Sequence, residues 1–209
     1  MRMRRLKWAP EFLENSEVVV HEPETCKGKW NKILNRECLH IEIGTGKGDY
    51  WISMSEMYPD AGWIGIEKNE SVAAMAVRKS GEKVENRCFI QGDAAIIDTW
   101  FAEKEVDVIH LNFSDPWPKK KASKRRLSHA SFLEKYKMIL KDDGEIQMKT
   151  DNSQLFEYSI LQFQGNGFVL VDFSVDFRRN EHPEDAITEY ENKFMEKGNP
   201  IYRAVWKKG

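Results

Sequence analysis

Short apolar runs alternate with longer amphipathic ones along most of this chain. LHIEI (39–43), GWIGIE (62–67), RCFIQ (87–91) and VDVIHLNF (106–113) predict four strands. The fourth is long and apolar enough to predict burial on both faces. Helices are predicted after the first three, over 50–58, 70–79 and 94–101. SFLEKYKMIL (131–140) and LFEYSILQF (155–163) predict two more, and GEIQMKT (144–150), FVLVDFSVDF (168–177) and IYRAVW (201–206) predict three further strands. This alternation predicts an α/β fold with a mostly parallel central sheet and helices on both faces. No full-length helix separates the last two strands, so an antiparallel C-terminal edge is expected.

The 209 residues, 41% hydrophobic and 32% charged, predict one domain over 1–209. A basic arm at about 1–10 (Arg2, Arg4, Arg5, Lys7) precedes it. Net charge is −2, so any polyanion must be held by a local patch. No apolar run approaches the ~20 residues needed to span a membrane, and no apolar signal core follows the basic start. Cys26, Cys38 and Cys88 form no CxxC pair, which argues against a zinc ribbon or disulfide framework and for a reducing cytoplasm. The five histidines have no metal-ligand spacing, so no metal is expected. The oligomeric expectation is monomer or homodimer.

Chemistry begins at HIEIGTGKGDY. Gly44, Gly46 and Gly48 follow the first strand, where glycine permits tight turning and close approach of backbone to a ligand. The nicotinamide fingerprint G-x-G-x-x-G wants a glycine where Asp49 stands. G-x-G-x-G instead resembles the loop of Rossmann-like S-adenosylmethionine-dependent methyltransferases. Three acids stand where an open α/β sheet binds ligands. Glu67 ends the second strand, where an acid can accept from ribose hydroxyls. Asp93 follows the third. Glu42 lies inside the first, and its carboxylate needs a partner there, either a ligand ammonium or backbone amides.

After the fourth strand comes NFSDPWPKKKASKRR (112–126), one carboxylate and a tryptophan ahead of six cations. DPWP is a relative of the D/N-P-P-Y/F/W pattern of methyltransferases that act on nitrogen. Together with IEIGTGKG, WIGIE, QGDA, MKTDN and TEYE, in this order from Met1 to Trp206, the stretch resembles the bacterial tRNA (guanine-N7)-methyltransferase family. The chain departs from it in the basic run, where a histidine-containing string is common, and in a tail that ends soon after the last strand.

The resemblance implies a single Rossmann-like methyltransferase domain. It implies that Glu42, Gly44, Gly46, Gly48, Glu67, Asp93, Ala94 and Asp115 hold S-adenosylmethionine, leaving S-adenosylhomocysteine as product. Asp115 is also the implied catalytic residue. Lys119, Asp151, Thr188, Glu189, Tyr190 and Glu191 would face the substrate nucleoside, and Lys121, Lys124, Arg125 and Arg126 the tRNA. The implied product is 7-methylguanosine in the variable loop of tRNA. Guanine N7 needs no base to deprotonate it, but in A-form RNA it lies in a groove that side chains cannot easily enter. An extruded base could stack on Trp117; burial of Trp117 at the sheet edge is the alternative. Methylation of an exocyclic amine, a non-catalytic RNA-binding domain and, least, a nicotinamide dehydrogenase are the rival readings.

Overall fold

The computed structural model describes residues 5–209, so Arg2 and Arg4 of the basic arm lie outside the described residues. Seven strands form a mixed, mostly parallel sheet. The chain divides into two compact units, one up to Ala102 and one from Glu103.

The first unit opens with α1 (Ala9–Glu14), a short helix with proline in its first turn, where a missing N–H costs nothing. The arm ahead of it is anchored from Arg5 onward. Leu6 N–H donates to Ser71 Oγ at 2.9 Å, Arg5 pairs with Glu70, and the Arg78 guanidinium lies 5.4 Å over the Trp8 ring. After α2 (Trp30–Ile33) come β1 (Cys38–Ile43), α3 (Asp49–Met57), β2 (Ala61–Glu67), α4 (Glu70–Ser80) and β3 (Arg87–Gln91). β1 and β3 each pair in parallel with β2. Their apolar residues are almost wholly buried, as Leu39, Ile41, Ile64 and Phe89 show. Gly65 makes room for two aromatic rings, since a Cβ there would meet Phe89 at 2.9 Å and Trp51 at 3.0 Å. The helix predicted over 94–101 is a 3-10 segment, Ala94–Thr99. Asp93 caps its start and Ile96, at φ −116° and ψ 24°, breaks the helical geometry.

The second unit contains β4 (Val106–Asn112), α5 (Ala130–Ile139), β5 (Leu140–Thr150), α6 (Ser153–Gly165), β6 (Phe168–Ser174), α7 (Glu189–Met195) and β7 (Tyr202–Lys208). β5 is parallel to β4 and antiparallel to β7, which is antiparallel to β6. The expected antiparallel C-terminal edge is present. β5 begins at Leu140 rather than at 144. Leu140 pairs with Val106, and Lys141 Nζ binds both oxygens of Asp107 at 2.8 Å, so α5 runs into the strand without a loop. Phe163 of α6 stacks on Trp206 at 4.0 Å and 10°, closing one face of this part of the sheet.

Candidate active site

In the first unit the glycine loop is built as the sequence requires. Gly44, Gly46 and Gly48 have φ of 79°, 56° and 82°, a region that side chains rarely adopt. A Cβ on Gly48 would also lie 3.0 Å from that of Ala76 on α4, whereas one on Gly46 would meet nothing within 4 Å. The loop is therefore pressed against α4 at Gly48 and open at Gly46. Gly48 precedes α3 without offering a side-chain cap. Glu42, 2% exposed, takes that role from β1: its Oε2 accepts from Trp51 N–H at 3.1 Å, satisfying one free amide of the helix start. The partner the sequence required for this carboxylate is thus a backbone amide, on the helix rather than in the loop itself.

Glu67 ends β2 half-exposed and braces the same loop. Its Oε2 accepts from Gly46 N–H at 3.2 Å and its Oε1 from Asn69 N–H at 2.7 Å. Asp93 accepts from Ala95 N–H at 3.0 Å and pairs with Lys68. Burial pushes its carboxyl up, but the Lys68 ammonium and the Ala95 amide outweigh this and hold it below the ordinary value. Ala94, the next residue, is buried. One group the sequence did not single out is Thr45, whose buried Oγ1 has no hydrogen-bond partner. Its place between two glycines was the available signal.

In the second unit the loop after β4 carries two departures from ordinary backbone. Phe113 has φ 50° and Trp117 φ 39°, and Trp117 precedes a proline, which restricts it further. Asp115 lies between them, exposed. Tyr190, at the start of α7 and 46% exposed, gathers the acids. Burial first, and then the charges of Asp151 at the end of β5 and of Asp115, raise its hydroxyl. Burial also raises Asp151, only partly offset by its own backbone amide and the Tyr190 hydroxyl. The Tyr190 ring lies 5.0 Å from that of Phe113. Trp117 is half-buried and carries the Arg125 guanidinium 4.9 Å over its ring.

The basic run forms a 3-10 segment, Lys120–Arg125. Lys119, Lys121, Lys124 and Arg125 are exposed, whereas Arg126 is half-buried. The TEYE segment divides in the same manner. Thr188 is the α7 cap, its Oγ1 accepting from Glu191 N–H at 3.0 Å, and Glu189 pairs with Lys193 on the exposed side. Glu191, expected to face the nucleoside, is 0% exposed and turned inward. Its Oε1 accepts from Arg178 Nε at 2.6 Å and its Oε2 from Lys149 Nζ at 3.3 Å. Asp185 binds the same two cations, giving a buried two-plus, two-minus cluster that fixes α7 to β5. Of TEYE, only Tyr190 reaches the acids. Lys149 carries no local mark of this role, because its partners lie 36 and 42 residues along the chain.

A family model described as "Putative methyltransferase" matches residues 36–204. A tRNA (guanine-N(7)-)-methyltransferase of Oceanobacillus iheyensis is 43% identical over 206 residues, covering 97% of each chain. One from Bacillus licheniformis is 45% identical over 212 residues, covering 99% of this chain and all of that one. Among solved structures, the 16S rRNA methyltransferase KamB matches at a TM-score of 0.61, over 87% of this chain and 93% of its own. At 10% identity that likeness concerns the fold.

Proposed function

The chain belongs to the tRNA (guanine-N(7)-)-methyltransferase family, and we propose that it methylates N7 of a guanosine in the variable loop of tRNA, using S-adenosylmethionine. One observation carries the reading: the loop after β4, packed through Phe113 on the Tyr190 ring at 5.0 Å, holds an exposed carboxylate and continues into a strip of exposed cations. Such a loop suits a base that arrives attached to phosphates.

The residues of the first unit fit the cofactor. The glycine loop is open at Gly46, the Thr45 hydroxyl is without a partner, and the Glu67 carboxylate stands against the Gly46 amide. Glu67 would take ribose hydroxyls, Asp93 and Ala94 would flank the adenine, and Glu42 would hold the helix that follows the loop. Bound S-adenosylmethionine supplies a methyl group on a sulfonium sulfur. No residue of this chain need remove a proton, because N7 of guanine has a free in-plane lone pair at neutral pH. The segment from Leu111 to Ser128 accordingly contains no histidine.

Asp115 offers its negative charge to the purine as it becomes cationic, a preorganised electrostatic role. Asp151 would accept from the guanine N1–H and N2 edge, and its charge is felt at the Tyr190 hydroxyl. Lys119 approaches the nucleoside, while Lys121, Lys124 and Arg125 hold flanking phosphates. The reading places the protein in the cytoplasm, where tRNA is found; no helix among the described residues is long and apolar enough to cross a membrane.

The test uses tRNA transcribed with 7-deazaguanosine throughout. Methyl uptake should vanish on this RNA and proceed on the unmodified transcript, with binding to both retained. Undiminished uptake on the deaza transcript would move the target to another atom.

A further inference from the structure

Arg126 does not share the outward direction of the cations before it. Its Nε donates to the carbonyl of Pro116 at 2.9 Å and its Nη2 to that of Trp117 at 3.1 Å. Its guanidinium lies 4.2 Å over the ring of Tyr158 on α6. Two residues further on, the buried Ser128 hydroxyl meets that of Ser159, the neighbour of Tyr158, at 2.7 Å. The segment 126–128 is thus docked on α6 at two points, and from there it grips the loop that carries Asp115.

That loop needs holding. Phe113 and Trp117 have positive φ without being glycine, and such conformations persist only where the surroundings over-determine them. Trp117 is doubly unfavourable because Pro118 follows it. Both carbonyls that Arg126 binds lie directly after Asp115, one of them on the strained residue. The Arg125 guanidinium lies over the Trp117 ring.

We propose that Arg126 is a positioning residue for methyl transfer rather than a contact to RNA: it clamps the Pro116 and Trp117 carbonyls against α6 and so fixes where Asp115 stands. Only a planar fork can bridge two carbonyls while stacking on a tyrosine; a lysine ammonium cannot do so, although it would serve a phosphate as a point charge. The inference rests on the methyl-transfer reading for its rate measurement alone.

The experiment compares wild type, Arg126→Lys and Arg126→Ala, each labelled with fluorotryptophan, with Trp117→Phe assigning the Trp117 fluorine signal. Three quantities are read: that signal, the single-turnover rate with cofactor and tRNA saturating, and the salt dependence of tRNA binding. Both variants should move or broaden the Trp117 signal and lower the saturated rate by about 10- to 100-fold, the scale of a small misplacement. The salt slope should stay at its wild-type value. Wild-type rate and an unmoved signal in Arg126→Lys would overturn the proposal. So would a slope flattened by about 0.7–0.9 in Arg126→Ala, the value of one phosphate contact, with the saturated rate intact. If wild type transfers no methyl to tRNA, the methyl-transfer reading falls and the Trp117 signal alone decides the clamp: moved upholds it, unmoved overturns it.

Discussion

Asp115 and Asp151 are both acids of one small region, yet their surroundings give them different work. Asp115 is exposed, and in the proposed mechanism it acts through its charge. Its replacement by Asn is nearly isosteric, so single-turnover methyl transfer at saturation should fall by about 100- to 1,000-fold, the loss typical of one preorganised stabilising group. An unchanged rate would leave Asp115 a shaping role only. Asp151 is half-buried and its carboxyl is raised, by burial first. A raised carboxyl favours the folded state most below its unfolded value, and that contribution is lost as pH rises through the folded value. Asp151→Asn cannot ionise, so its melting temperature should gain on wild type as pH rises from the acid range towards neutrality, while its methyl transfer falls. A variant that instead loses ground to wild type over that interval would contradict the assigned environment. Both acids are legible in the sequence because each follows a strand. Glu191 is not: T-x-x-E in TEYE reads equally well as a helix-capping pattern, and its inward turn depends on Lys149 and Arg178, 42 and 13 residues away.

At the scale of elements, the basic 3-10 segment makes its own quantitative claim. Lys121, Lys124 and Arg125 are exposed, and Arg125 also lies over the Trp117 ring. Replacing the three with alanine should flatten the log–log salt dependence of tRNA binding by about two to three units, at 0.7–0.9 per contact. Cofactor affinity should hold. An unaltered slope would make this strip a solvated face. Most element positions follow from periodicity, and the misses have local causes. The predicted helix at 94–101 is interrupted at Ile96, a backbone detail without a compositional mark. β5 starts four residues early because Lys141 finds Asp107 on the neighbouring strand, a pairing that a window of local sequence does not contain. The short α1, α2 and α7 are each too brief to display a helical period.

Across the whole molecule, charge and fold say different things. A net charge of −2 gives no general attraction for RNA, so recognition depends on where a few cations are presented. The mixed sheet with its antiparallel edge is legible from the order of strands and the missing helix near the C-terminus. The division at Ala102 and Glu103 carries no linker composition. The central claim concerns one atom of one base. Protein, labelled S-adenosylmethionine and an unmodified tRNA transcript are incubated, the RNA is digested to nucleosides, and the label is located. The account predicts that it resides in 7-methylguanosine and that Asp115→Asn removes nearly all of it; label in any other nucleoside, or none in wild type, would contradict it.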